Sequence, residues 1–123
     1  MFYPMVKFEL KTIYGWKEFE FLVDTGADVT TVPSHILPVL GIKKSQLKVS
    51  TTLGVGGIKI KTWEFKLPVR MDNAEILVAA TAVDVEEISI PLLLGRKDIF
   101  EERFNLLLDS ENKIVVIEEN KKI

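Results

Sequence analysis

Ten consecutive residues carry the clearest chemical signal in this chain: Phe21-Leu22-Val23-Asp24-Thr25-Gly26-Ala27-Asp28-Val29-Thr30. An apolar strand delivers the Asp24 carboxylate into a turn, and a carboxylate held there can give or take a proton. Gly26 permits a backbone shape or a close approach that a side chain would block. Thr25 adds a hydroxyl able to brace the loop. A bare Asp-Thr-Gly also reads as an ordinary β-turn, in which Asp and Gly are common. The other reactive side chains offer less. Cysteine is absent, which excludes disulfides, thiolate zinc sites and cysteine nucleophiles. His35 is the only histidine. It rules out a multi-histidine metal site within one chain, and no Ser in a Gly-x-Ser-x-Gly context stands ready to partner it. A surface or capping role suits His35 better. The pairs Glu86-Glu87 and Glu118-Glu119 read as solvated, and Trp63 and Phe65 as core rather than pocket.

Two further segments give the Asp24 loop its context. Leu53-Gly54-Val55-Gly56-Gly57-Ile58 is a glycine-rich tip between two strand patterns. Leu92-Leu93-Leu94-Gly95-Arg96 is an apolar run ending on Gly-Arg. Taken in order, the hydrophobic-Asp-Thr-Gly-Ala-Asp loop with Thr30-Thr31-Val32-Pro33 after it, the glycine-rich tip and the Gly-Arg segment resemble the retropepsin-like aspartic proteases. The resemblance covers most of the chain. The first part is the specific one, and the tip alone would say little.

The resemblance implies an endopeptidase that hydrolyses peptide bonds with two carboxylates sharing one proton across a water. Such a pair titrates as a unit, with activity favoured at mildly acidic pH. This chain supplies one Asp-Thr-Gly and is too short for two lobes, so two copies must each bring Asp24 to a two-fold axis. Asp109-Ser110 follows three leucines but has Glu111 where glycine is needed, so Asp109 reads as a hairpin turn. The family likeness gives Thr25 a hydrogen bond across the dyad. Asp28 and Arg96 become a contact to substrate backbone or, equally, a structural ion pair. Gly54, Val55, Gly56 and Gly57 become a flap, or else a plain hairpin turn. Gly95 and Arg96 support the loop from below. The cleft walls are expected to carry Val29, Val32, Val55, Ile58 and Ile90, favouring apolar substrate side chains. Two departures stand out: Lys97 intervenes before Asp98 where the family has Asp or Asn directly after Gly-Arg, and Val29 replaces a frequent polar residue. The alternative is a dimeric peptide-binding module of the same fold with little or no turnover. A ligand-binding β-barrel that uses Asp24 only as a turn is more distant.

The elements that must hold these residues are mostly strands. Val6, Phe8 and Leu10 alternate with charged residues, and Tyr14-Gly15 turns the chain into a partner strand from Trp16 to Val23. Pro33 to Leu37 predicts a short helical turn with Ser34 as its cap, ending near Pro38 or Gly41. Leu47 to Leu53 and Ile58 to Val69 form a hairpin, Asp72-Asn73 turns, and Glu75 to Val83 reads as a buried strand. A single helix is predicted from Arg96 to Phe104, with Ile99, Phe100 and Phe104 on one face. Leu106 to Leu108 and Ile114 to Ile117 close the chain as a hairpin. Many short strands and one helix in 123 residues imply one all-β domain over residues 1–123, a closed or partly closed barrel. With the family resemblance this becomes a closed, acid-protease-like barrel with one short C-terminal helix, working as an obligate homodimer. The hydrophobic share of 47% supports a real core. A formal net charge of −2 argues against a nucleic-acid binder. No apolar run approaches a membrane span and the N-terminus lacks a secretory pattern, so a cytoplasmic protein without membrane contact is expected. Polypeptide substrate and a second copy are the expected partners, and neither metal nor organic cofactor is needed.

Overall fold

The computed structural model describes residues 4–24, 26–53, 55–57, 59–71, 73–84, 92–100 and 104–119. Strand β1 (Met5–Thr12) and β2 (Gly15–Val23) form an antiparallel hairpin from Met5↔Leu22 to Thr12↔Gly15. Its turn is closed by Thr12, whose Oγ1 donates to Gly15 O at 2.7 Å and accepts from Tyr14 N at 3.0 Å. Next come β3 (Thr30–Pro33), β4 (Lys48–Leu53), β5 (Lys59–Met71), β6 (Ala74–Val83) and β7 (Leu92–Leu94). The sheet order β1-β2-β7-β3-β6-β5 returns to β1 through Glu9↔Arg70 and Leu10↔Val69. Six strands thus close into a barrel, which removes their free edges. Strand β4 pairs with β5 outside this ring. Strands β8 (Phe104–Asp109) and β9 (Ile114–Glu119) form a separate two-stranded sheet.

The barrel is filled by residues from every wall: Leu10, Phe21, Val32, Leu67, Val69, Val78 and Leu94 are fully buried. Such alternation follows from the two-residue period of a strand. It also refines the reading of β6, which is buried on one face only: Ile76, Val78, Ala80 and Ala82 point inward, whereas Leu77 is exposed. Val32 is 0% exposed, so it belongs to the core and not to a cleft wall as expected. Ile58 and Ile90 lie outside the described residues.

Two local expectations are corrected. The turn Ser34–Ile36 is a 3-10 helix preceded by Pro33, with no side-chain cap. The Ser34 hydroxyl donates instead to Asp84, fifty positions along the chain. The turn does run on to Gly41, whose N–H reaches Pro38 O at 3.1 Å. The predicted helix from Arg96 to Phe104 is, over Arg96–Phe100, a turn. Asp98 has φ 67°, a left-handed conformation that an α-helix cannot contain. The apolar spacing nonetheless reported burial correctly, because Ile99 and Phe104 are both in the core.

Candidate active site

Asp24 stands at the point where β2 leaves the barrel. The strand is pinned at its end by Val23 N to Pro4 O at 2.8 Å, and Asp24 N donates to Leu94 O of β7 at 3.0 Å. The chain then turns: Ala27 N reaches Asp24 O at 3.1 Å, and Gly26 N donates to Asp24 Oδ1 at 3.1 Å. The carboxylate therefore has one oxygen held by the loop it opens. A Cβ on residue 26 would sit 3.3 Å from that oxygen. A side chain there would crowd the carboxylate, whereas the Gly26 backbone is not left-handed.

The loop rests on a floor made by the end of β7. Gly95 N donates to Thr30 Oγ1 at 3.1 Å, Arg96 N to Ala27 O at 3.1 Å, and Lys97 N to Asp28 O at 2.8 Å. With the Asp24–Leu94 bond these give a ladder of four contacts across two backbone segments. Gly95 is what lets them approach: a Cβ there would lie 2.3 Å from Val29 C, 2.4 Å from Val29 O and 2.7 Å from Thr30 N. Those are backbone atoms and cannot swing aside. Thr30 is fully buried, and its hydroxyl is a site element that sequence reasoning passed over. The only signal was the polar pair Thr30-Thr31 opening a strand that ends in Val32-Pro33.

The Arg96 guanidinium forms an ion pair with the exposed carboxylate of Asp28 through Nη2 and Oδ1. Arg96 Nε is buried and has no acceptor among the described residues. Val29, the next residue after Asp28, is half-buried. Thr25 lies outside the described residues.

The glycine-rich tip is a different structure. Strands β4 and β5 pair from Lys48↔Glu64 to Leu53↔Lys59, and Val55–Gly57 makes a 3-10 turn between them. Gly56 and Gly57 have φ of 81° and 77°. Among the described residues, a Cβ on either would meet nothing within 4 Å. Gly54 lies outside the described residues.

The remaining candidates separate from this site. Asp109 is engaged in its own hairpin turn, where Oδ2 accepts from Asn112 Nδ2 at 2.9 Å and Oδ1 from Asn112 N at 3.1 Å. Those bonds, the side-chain one first, hold its carboxyl below the usual range. His35 is exposed. Trp63 belongs to the core, with the Lys44 ammonium 3.9 Å above its ring. A concavity of about 800 Å³ lies elsewhere, between Met5, Phe8, Glu18, Arg70 and Ile117. Asp24 does not line it.

A model of the retroviral aspartyl protease family matches residues 4–103. The chain belongs to that family. Solved structures agree on the fold of this retropepsin-like chain. A retropepsin-like aspartic protease from Rickettsia conorii is similar at TM-score 0.66 and 20% identity, covering 93% of this chain and 89% of that one. The EIAV protease complexed with the inhibitor HBY-793 is similar at TM-score 0.58 and 19% identity, over 76% and 82% of the two chains. The retroviral protease-like domain of Ddi1 from Leishmania major is similar at TM-score 0.58 and 14% identity, over 94% and 89%. A search of curated proteins found no match. Within this retropepsin-like fold, the four-contact floor places the Asp24 turn at the end of a closed barrel, and the β4–β5 hairpin supplies the glycine-rich tip.

Proposed function

We propose that the chain is an aspartic endopeptidase that acts as a homodimer, with Asp24 of each copy forming the catalytic pair. The observation that carries this reading is the Asp24 turn itself: one carboxylate per chain, braced by a rigid floor, in a member of the retroviral aspartyl protease family. A water held between the two carboxylates loses a proton to one of them as it attacks the peptide carbonyl carbon, while the other gives its proton to the carbonyl oxygen. The resulting gem-diol collapses, the C–N bond breaks, and the amine leaves with a proton. Two close carboxylates share one proton because both cannot ionise together.

The other residues take supporting roles. Thr25 reaches across the dyad, Gly26 and Ala27 shape the turn, and Gly95 with the Asp28–Arg96 pair braces it. The tip at Gly54, Val55, Gly56 and Gly57 acts as a flap over a bound polypeptide. The β8–β9 sheet supports the two-copy reading. Leu107 faces Val116 across the hairpin, and Leu107 and Ile114 remain 60% and 48% exposed, an apolar surface suited to a second copy.

The test is cleavage of a peptide library across acidic pH, with and without pepstatin, beside sedimentation. The Asp24→Asn variant should stay folded and dimeric while losing about 10²- to 10⁴-fold in turnover. A monomer with full activity, or an Asp24→Asn variant that cleaves at the parent rate, would overturn the proposal. A folded dimer that cleaves nothing and is unaffected by Asp24→Asn would instead support a peptide-binding module.

A further inference from the structure

The family pattern leads to no expectation for Asp98, which stands one place later than the acidic or amide residue it would replace. The structure gives it distinct work. Asp98 Oδ2 accepts the backbone N–H of Ala79 at 2.7 Å. Ala79 lies in β6, one residue before the first pairing of that strand with β3, Thr30↔Ala80. Its N–H therefore meets no carbonyl of β3, and the Asp98 carboxylate takes the place that a longer β3 would have filled. The Lys66 ammonium lies 4.0 Å from the same oxygen, and the Asp98 side chain is only 20% exposed.

The turn that carries Asp98 is the one whose amides hold the active-site loop. Arg96 N and Lys97 N donate to Ala27 O and Asp28 O, while Ile99 N and Phe100 N both donate back to Arg96 O. Ile99, next to Asp98, is fully buried. One end of this segment thus grips the loop after Asp24, and the other is fastened to the barrel wall by one carboxylate. Asp98 also holds φ 67°, a conformation that Asp, Asn and Gly accept more readily than other residues. A residue in that conformation is held by its surroundings, and the bond from Ala79 N–H is one such hold on Asp98.

We propose that Asp98 is a positioning residue for the active-site loop: by tying the Arg96–Phe100 turn to β6, its carboxylate sets where the Arg96 and Lys97 amides hold Ala27 and Asp28, and hence where the Asp24 turn sits. Asp98 touches no reacting atom. The effect on catalysis rests on the aspartic-protease reading; the effect on loop order does not.

Three variants separate the carboxylate from the backbone. Asp98→Asn keeps an acceptor and tolerates the left-handed conformation. Asp98→Gly suits that conformation better than Asp does but has no acceptor. Asp98→Ala loses both. Amide hydrogen exchange by NMR reads the floor directly, with β8–β9 amides as an internal reference. The Arg96 and Lys97 amides should exchange at least tenfold faster in Asp98→Gly than in the parent, and stay within about threefold of the parent in Asp98→Asn. In the peptidase assay, Asp98→Gly should lower kcat about tenfold with KM within twofold, and Asp98→Asn should restore kcat. Parent-like exchange in Asp98→Gly would overturn the proposal, since it would show that only the backbone conformation matters. Equal loss in Asn and Gly would overturn it too. Should the parent chain cleave nothing, the exchange result still decides the role of Asp98, while the protease reading fails separately. Asp98→Gly is the variant chosen to fold, so failure of Asp98→Ala to do so leaves the comparison of Asn with Gly intact.

Discussion

The floor beneath Asp24 and the tip of the β4–β5 hairpin both depend on glycine, for opposite reasons. At Gly95 the backbone is ordinary and space is the constraint: any Cβ would overlap Val29 and Thr30 backbone. At Gly56 and Gly57 space is open and the backbone is the constraint, with φ of 81° and 77°. The floor is bound by four hydrogen bonds to a neighbouring segment. At the tip no atom of the described residues lies within 4 Å of a Cβ on Gly56 or Gly57, and glycines can change conformation at low cost. A catalytic turn has to hold its geometry within a fraction of an ångström, while a segment that admits a polypeptide has to open. Under the proposed function, the two glycine sites divide those demands.

The comparison is broken most directly by adding one methyl group to each region. Gly95→Ala should destabilise the fold by at least about 3 kcal/mol, because rigid backbone leaves no way to relieve the overlap. Urea unfolding measures it, and a midpoint unchanged from the parent would remove the claim that contact at Gly95 is steric. Thr30→Val tests the same floor without changing volume. It leaves the Gly95 N–H buried and unpaired, at about 1–3 kcal/mol. Gly56→Ala, by contrast, meets no neighbour among the described residues and should cost about 1 kcal/mol, the price of a left-handed alanine. If Gly56→Ala proves as damaging as Gly95→Ala, the tip is packed in solution and the contrast fails.

Much of this contrast was legible in the sequence. The Asp24 turn and the Gly-Arg end of β7 are local patterns whose residue types have few alternatives, and the β1–β2 and β8–β9 hairpins follow from two-residue alternation and short turns. What escaped is non-local. The spacing of Ile99, Phe100 and Phe104 recorded which side chains are buried, and a helix is the commonest path that buries them. The actual path bends at Asp98, whose partner Ala79 is nineteen positions away. Ser34 has the form of a helix cap, yet its hydroxyl goes to Asp84. Val32 adjoins the active-site loop, but closure of the barrel turns it inward beside Ala82, the residue it pairs with. Each miss involves a partner that only the closed ring brings near.

The smallest expected effect concerns charge, and it sharpens the contrast between the floor and the surface. The ladder beneath Asp24 is built from backbone amides, carbonyls and one hydroxyl, none of which titrates. Asp84, at the end of β6, is instead held by the Ser34 hydroxyl and by Lys44 Nζ at 2.9 Å. Those bonds, Ser34 first, lower its carboxyl from the usual value of 3.8. A carboxylate depressed in the folded state stabilises the fold above its unfolded pKa, and that contribution fades as pH falls from there through the folded value. Asp84 is well exposed, so screening keeps the effect small. Ser34→Ala should therefore slightly reduce stability at neutral pH and slightly flatten the loss of stability between pH 5 and pH 3, about the range where a carboxylate protonates. Urea midpoints for the parent and Ser34→Ala across that range make the measurement. A Ser34→Ala curve parallel to the parent at every pH would show that the hydroxyl does not select the ionised form of Asp84. Thr30→Val provides the matched control: its loss should be the same at pH 3 and pH 5, because the bond it breaks carries no proton equilibrium.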